Sequence, residues 1–243
     1  MTELSSCGTL YGIGVGPGDP ELLTLKAARL LSQTRLVAVP ITQAEGNSYA
    51  LTVAAQHLHP EHTVLRLHFP MVRDAAVRAG HRQAAAQAIT EQVCAGRDVA
   101  FLTEGDPLLH STFIYVLNNL PPELPVEVIP GVSSITAAAA QARLPLVNAD
   151  QRLAILPATF EDMAELRRIL GEFDAVVLLK VHRVLDQVLD VLAELGLTEQ
   201  AVLVERASHP ASRVIRDVAR LRGTAVHYLS LLIVHARRGD RED

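Results

Sequence analysis

Short β-rich runs alternate with helical patterns through the first half of this 243-residue chain. The alternation predicts a parallel sheet with crossover helices, because a helix between two strands returns the chain to the same direction. Apolar and β-branched residues mark five predicted strands, at residues 9–15, 36–40, 63–69, 99–103 and 126–130. Alanine-rich segments between them predict helices, the longest at residues 75–94. We therefore expect a first α/β domain at residues 1–148.

A second set of predicted strands begins after residue 149, at residues 153–157, 175–180, 201–206, 213–217 and 228–234. The last three follow one another too closely for a helix between each pair. Part of this sheet is therefore predicted to be antiparallel or mixed. We expect the second domain at residues 149–243 and a fold of two α/β domains.

Residues 14–20, Gly-Val-Gly-Pro-Gly-Asp-Pro, lead from the first predicted strand directly into a helix. Glycine permits positive φ and close backbone approach, while Asp19 is predicted to cap a helix that Pro20 opens. The spacing is not the dinucleotide fingerprint G-x-G-x-x-G, and no Gly-Lys-Ser/Thr follows, which excludes a phosphate-binding P-loop. Taken alone, the segment predicts either a ligand-binding loop or a tight turn with no ligand.

Two further strand ends carry turn residues of the same kind. Residues 104–107 read Glu-Gly-Asp-Pro, and residues 130–134 read Pro-Gly-Val-Ser-Ser. Because the carboxyl ends of parallel strands share one edge of a sheet, we expect both loops to meet residues 14–20 there. The three turns together favour a binding site over three unrelated capped turns.

Composition narrows the function classes. The net charge of -5 and the pI near 6.1 argue against general nucleic-acid binding, and the chain has no Trp for base stacking. No apolar run is long enough to span a membrane, and the first residues lack the features of a signal peptide. Two cysteines predict neither a metal pair nor a disulfide, which fits a reducing cytoplasm. The histidines at 57, 59 and 62 lack the i, i+4 spacing of helical ligands, so no metal site is expected.

The motifs in this order resemble the tetrapyrrole (precorrin-type) methyltransferases over nearly the whole chain. The shared segments are residues 14–20, 103–107, 130–134 and 204–208. Within that family the chain is most similar to the precorrin-2 or cobalt-factor II C20-methyltransferases, through residues 101–103, 111–113, 179–181 and 228–234. The resemblance implies S-adenosylmethionine-dependent C-methylation in corrin ring biosynthesis, in an active cleft between the two α/β domains. It also implies a homodimer acting on a small tetrapyrrole.

The resemblance assigns a role to individual residues. The implied cofactor contacts are Pro17, Gly105, Asp106, Leu109, Ser133, Ser134, Leu179 and Ala207. S-Adenosylmethionine carries a sulfonium and an adenine but no phosphate, so backbone groups and apolar contacts suit it better than a basic cradle. A weak base must remove the C20 proton, and the candidates are Asp106, Asp19, Glu104 and Glu205.

Several polar residues are candidates for binding the substrate. Lys180, His182 and Arg183 either pair with the carboxylates of a tetrapyrrole or form a solvated strand end. Ser111 and Thr112 either contact a ligand or open the next helix. No Gly-x-Ser-x-Gly elbow occurs, so neither is a hydrolase nucleophile.

Three other functions fit the same motifs. They are methylation at another tetrapyrrole position, methylation of a protein as in the diphthine-forming relatives, and ligand binding without chemistry. The Ser-Thr-Phe and Glu-Arg-Ala-Ser segments favour the tetrapyrrole as substrate. The sequence leaves open whether that substrate contains cobalt.

Overall fold

A computed structural model of the chain describes residues 7–43, 46, 48–159 and 162–236. The chain divides into two compact units, Met1–Ser133 and Ser134–Asp243. The division falls before the helix Ser134–Ala142, and the predicted domain boundary near residue 149 stays a prediction. This helix groups with the second unit because it packs against two of that unit's strands. The first six residues, for which no signal peptide was predicted, lie outside the described part of the chain.

The sheet of the first unit has five strands in the order β3-β2-β4-β1-β5. All neighbouring pairs are parallel, as the alternating pattern predicts. The predicted positions of all five strands are confirmed to within about two residues. The strands are β1 (Leu10–Gly14), β2 (Leu36–Ile41), β3 (Thr63–His68), β4 (Val99–Thr103) and β5 (Val126–Ile129).

Among the described residues of the first unit, four α-helices connect these strands. They are α1 (Leu25–Gln33), α2 (Tyr49–Ala54), α3 (Ala75–Cys94) and α4 (Phe113–Leu117), with 3-10 turns at Pro20–Leu22 and Ala55–His57. Asp19 caps the helix that Pro20 opens, as predicted, but this helix is only the 3-10 turn Pro20–Leu22. The longer helix α1 begins separately at Leu25, where the Thr24 side chain accepts a hydrogen bond from the N–H of Ala27.

Both faces of the first sheet are covered by apolar residues, as expected for a parallel sheet. Along β2, Val37 and Val39 pack into one cluster with α1 and α2, while Ala38 faces the other cluster. In β4, Leu102 packs into the cluster with Val37 and Val39, and Phe101 packs into the cluster with Ala38. This period-two alternation fixes the register of the strands and thus the position of the loops at their ends.

The sheet of the second unit is mixed, with the strand order β6-β7-β10-β8-β9. β6 and β7 are parallel, whereas β10 is antiparallel to both β7 and β8, and β9 is antiparallel to β8. The predicted mixed sheet is therefore confirmed. The strands are β6 (Leu153–Pro157), β7 (Ala175–Leu179), β8 (Ala201–Glu205), β9 (Arg213–Ile215) and β10 (Ser230–His235).

The described part of the second unit has three α-helices, and their apolar faces cover its core. They are α5 (Ser134–Ala142), α6 (Met163–Glu172) and α7 (Leu185–Glu194), with 3-10 turns at Val181–Arg183, Thr198–Gln200 and Val218–Leu221. Leu166 of α6 and Leu192 of α7 pack with Leu178 of β7. Among the described residues, no helix has both the length and the apolar character needed to cross a bilayer.

Candidate functional site

The loops that follow β1, β4 and β5 lie side by side in the first unit. These strands are neighbours and parallel, so their carboxyl ends share one edge. Gly16 and Gly105 exchange backbone hydrogen bonds, with the Gly105 N–H 2.9 Å from the Gly16 oxygen and the reverse pair at 3.4 Å. The predicted convergence of the three loops is therefore observed.

Glycine is required where these loops touch. A Cβ built on Gly14 would lie 2.4 Å from the carbonyl oxygen of Gly105, and one built on Gly131 would lie 2.2 Å from the same oxygen. Gly105 itself has a φ of +63°, in the left-handed region that favours glycine. The glycines thus close three backbone segments onto each other and leave little room for any side chain at the junction.

Asp106 joins two of the three loops. Its Oδ1 accepts a hydrogen bond from the N–H of Leu108 at 2.9 Å, and its Oδ2 accepts one from the N–H of Gly131 at 3.1 Å. The side chain is half-buried. Because both carboxylate oxygens already accept from backbone N–H groups, Asp106 holds the loop after β4 against the loop after β5.

The other candidates in the first unit occupy different environments. Asp19 accepts a hydrogen bond from the N–H of Glu21 at 2.9 Å and is half-buried, whereas Glu104 is exposed. Pro17 is buried, and its carbonyl oxygen accepts from the hydroxyl of Tyr49 at 3.1 Å. Leu109 keeps 38% of its surface exposed at the edge of the sheet.

Ser111 is buried beneath the loop that follows β4. Its hydroxyl lies 2.7 Å from the hydroxyl of Thr103, at the end of β4, and accepts from the N–H of Phe113 at 3.0 Å. Thr112 is the first residue of the turn into α4 and makes no capping side-chain bond. Ser111 therefore opens α4, which was one of the two predicted roles for this pair.

In the second unit, the predicted cations follow β7. Lys180 adopts a left-handed φ of 58°, and His182 and Arg183 lie in the following 3-10 turn. The His182 ring meets the Tyr228 ring edge-on, with the centroids 5.2 Å apart. Its Nδ1 is buried and has no hydrogen-bond partner among the described residues. Lys180 and Arg183 are exposed.

Glu205 is a buried carboxylate at the end of β8, with 5% of its surface exposed. Its Oε1 accepts from the N–H of His227 at 2.8 Å, and its Oε2 pairs with the Arg213 guanidinium at 3.2 Å. These bonds attach the segment before β10 to the end of β8. The buried Ala207 follows, between Arg206 and Ser208, which both have positive φ.

His227 was not predicted from the sequence. Burial lowers the pKa of its imidazole below the usual 6.5, and the Arg206 guanidinium lowers this pKa further, against the opposing effect of Glu205. The Nδ1 accepts a hydrogen bond from the N–H of Leu229 at 3.0 Å, so the neutral ring carries its proton on Nε2. No sequence pattern marks this residue, because its partners depend on the antiparallel pairing of β8 with β10.

The remaining histidines and cysteines form no metal centre in the described ranges, where no group of three or more His, Cys, Asp or Glu could hold an ion. The Nδ1 of His62 accepts from the N–H of His59 at 2.8 Å, and its Nε2 lies 2.9 Å from the carbonyl oxygen of Leu31. Cys7 and Cys94 are free thiols.

The geometry of these loops can be compared with known proteins. The sequence pattern of the family described as Tetrapyrrole (Corrin/Porphyrin) Methylases matches residues 9–221, from β1 to the last 3-10 turn. The chain belongs to this family. The family match includes the three converging loops of the first unit and the Glu205 segment of this methylase.

Relatives of this methylase support the assignment. Cobalt-precorrin-2 C(20)-methyltransferase of Salmonella typhimurium is 34% identical over 229 residues, which cover 94% of this chain and 96% of that protein. Cobalamin biosynthesis protein CobIJ of Mycobacterium tuberculosis is 37% identical over 97% of this chain, which covers 47% of that protein. The methylase thus spans about half the length of the mycobacterial relative.

A solved structure shows the same fold. Uroporphyrin-III C-methyl transferase from Thermus thermophilus, complexed with S-adenyl homocysteine, has a TM-score of 0.64 and 26% sequence identity. The match covers 93% of this methylase and 97% of that chain. The predicted fold class and the predicted family are both confirmed.

Proposed function

We propose that this methylase transfers a methyl group from S-adenosylmethionine to C20 of precorrin-2, or of its cobalt-containing form, in corrin ring biosynthesis. The observation that carries the proposal is the near full-length match to the Salmonella relative, which is named for this reaction. The motif segments that follow β4 and β7 pointed to the same branch of the family. The match to the longer mycobacterial relative covers 47% of that protein, so it supports an activity only of the matched part.

The chemistry of the converging loops fits S-adenosylmethionine. Residues 14–20, 104–107 and 130–134 contain no Lys, Arg or His and offer backbone N–H and C=O groups beside apolar side chains. Such a surface suits a zwitterion with a sulfonium and no phosphate. The bound S-adenyl homocysteine of the Thermus relative supports the same ligand. The residues we propose to hold it are Pro17, Gly105, Asp106, Leu109, Ser133, Ser134, Leu179 and Ala207.

When bound, S-adenosylmethionine supplies an electrophilic methyl group, and the C20 carbon that receives it must then lose a proton. The hydrogen bonds of Asp106 and Glu205 to backbone N–H groups support a positioning role for both carboxylates. Glu104, which is exposed, is then the first proposed proton acceptor. Asp19, whose Oδ1 accepts from the N–H of Glu21, is the second. Positioning of the reacting groups accounts for much of such a rate enhancement, up to about 7–11 kcal/mol.

The proposal for the substrate includes the cations after β7. Lys180, His182 and Arg183 are proposed to meet its carboxylates, together with Thr112 after β4. Ser111 was predicted with Thr112, and its buried hydroxyl is proposed to support the loop, because it is bonded to Thr103 and Phe113. A homodimer, which the family resemblance implies, and a cytoplasmic location, which fits the two free cysteines, complete the proposal.

The test is a methylation assay with metal-free precorrin-2 and cobalt-loaded substrate side by side. We expect the mass of one substrate to increase by one methyl group, only when S-adenosylmethionine is present. A Glu104→Gln variant should bind S-adenosylmethionine and the tetrapyrrole but have a lower kcat. The control is Glu61→Gln, at an exposed position before β3, and its kcat should equal that of the wild type. Failure of both substrates to gain a methyl group would overturn the proposal.

A further inference from the structure

One stretch of the first unit is cationic although the protein is acidic overall. Residues 66–82 contain four arginines and two histidines but a single acid, Asp74, whereas the whole chain has a net charge of -5. The Asp74 carboxylate accepts from the N–H groups of Ala76 and Val77 and so caps α3. A segment with this excess of cations attracts an anionic ligand.

This cationic stretch begins at the same edge of the sheet as the converging loops. It includes the end of β3, and β3 runs parallel to the rest of the sheet. Arg82 on α3 lies over the ring of Tyr115 on α4, with its guanidinium carbon 3.7 Å from the ring centroid. α4 follows Ser111, which is bonded to Thr103 at the carboxyl end of β4. Arg82 is therefore held against the element that starts at the ligand edge.

The guanidinium of Arg82 has no acidic partner among the residues that the structure describes. In the same ranges no Asp or Glu pairs with Arg73, and no group accepts a hydrogen bond from Arg82. Arg78 differs, because it donates to the carbonyl oxygens of Val72 and Arg73 and so braces the loop before α3. When a guanidinium stacks on an aromatic ring, its N–H groups still point outward in the plane of the guanidinium. Two of them can then donate to the two oxygens of a carboxylate.

We propose that Arg82, held on Tyr115, binds a carboxylate side chain of the tetrapyrrole substrate, and that the exposed Arg73 supports it. The identity of this ligand rests on the proposed function, while the carboxylate chemistry rests on the side chains alone. Arg82 half-buried on an aromatic ring is better oriented for such a contact than a freely moving surface arginine, because less conformational freedom is lost on binding.

The experiment measures binding of uroporphyrin, a porphyrin with eight carboxylates, by fluorescence titration. We expect Arg82→Met to weaken binding about tenfold or more, in line with loss of a charge-assisted hydrogen bond. The control is Arg97→Met. Arg97 is exposed and precedes β4, so it lies at the amino-terminal ends of the strands, away from the converging loops. Arg82→Lys keeps the charge without the planar fork and should fall between them. Equal affinity of wild type and Arg82→Met would overturn the proposal.

Steady-state kinetics separate this proposal from the proposed function. If the wild type methylates precorrin-2, Arg82→Met should raise KM for the tetrapyrrole and leave the affinity for S-adenosylmethionine unchanged. An unchanged KM would refute the Arg82 site while the methyltransferase assignment stands. If the wild type methylates neither substrate but binds uroporphyrin through Arg82, the site stands and the assignment fails. Should Arg82→Met not fold, Tyr115→Ala and Arg73→Met replace it, and wild-type affinity in both would refute the site.

Discussion

The carboxylate of Asp106 accepts a hydrogen bond from the backbone N–H of Gly131, 3.1 Å away, across 25 residues of sequence. With the second bond from the N–H of Leu108, it fixes two of the loops proposed to hold S-adenosylmethionine. These two bonds hold the loop after β4 against the loop after β5.

Asp106→Asn should destabilise the protein, because the single amide oxygen can serve only one of the two N–H groups. Leaving the other without an acceptor costs about 1–3 kcal/mol. Urea unfolding measures this change, and Glu123→Gln is the control, since Glu123 is an exposed acidic residue in another loop of the first unit. An Asp106→Asn variant as stable as the wild type would contradict the positioning role.

Gly131→Ala should destabilise the first unit and weaken binding of S-adenosylmethionine. The new Cβ would lie 2.2 Å from the carbonyl oxygen of Gly105. This oxygen belongs to the backbone and accepts a hydrogen bond from the N–H of Gly16, so it cannot shift as a flexible side chain would. Overpacking of this kind typically costs about 1–3 kcal/mol. Gly80→Ala is the matched control with the opposite sign, since nothing lies within 4 Å of its Cβ and α3 should gain about 0.5–1 kcal/mol. Thermal melts of both variants check the prediction, and equal melting temperatures would contradict it.

The lowered pKa of His227 predicts a loss of stability in acid. Below the usual value of 6.5, the unfolded chain binds a proton that the folded protein takes up only at lower pH. The stabilising contribution is therefore complete above about pH 6.5 and is lost as the pH falls through the folded pKa. Arg206, His209 and His182 all favour the neutral ring, while Glu205 opposes it.

Melting curves from pH 7.5 down to 5.5 test this acid sensitivity. In His227→Asn, the amide oxygen can still accept from the N–H of Leu229, but the side chain does not titrate. The wild type should lose more stability than this variant over the same pH range, while the exposed His59→Asn should follow the wild type. Parallel curves for wild type and His227→Asn would show that His227 is not responsible.

Binding of S-adenosylmethionine should be measurable without any tetrapyrrole. We expect a dissociation constant in the micromolar range, which corresponds to about -8 kcal/mol. Calorimetry checks this directly, with ATP as a phosphate-bearing control that should not bind, because the loops lack basic residues. Absence of heat and of any thermal shift at millimolar S-adenosylmethionine would contradict the cofactor assignment.

Much of the fold was predictable because each strand is an apolar run bounded by turn residues. The mixed second sheet followed from the short spacing between residues 201 and 234. The start of α1 was mispredicted because Pro20 and Thr24 both suit a helix start, and local sequence does not decide between them.

The convergence of the ligand loops was predictable from strand direction, but the partners of the carboxylates were not. Glu205 meets His227 only because β10 pairs antiparallel with β8. Asp106 meets Gly131 only because β4 and β5 lie on either side of β1 in the sheet. These contacts depend on sheet order. A single sequence carries no signal for them. Four carboxylates were therefore candidate proton acceptors, although three of them, Asp19, Asp106 and Glu205, accept hydrogen bonds from backbone N–H groups.

The position of the transferred methyl group tests the central claim most directly. S-Adenosylmethionine labelled with carbon-13 in its methyl group is supplied with whichever precorrin-2 form reacts, and the product is analysed by NMR. The account predicts one labelled methyl group, bonded to C20 of the macrocycle. A label at any other ring position, or on a protein acceptor, would contradict it.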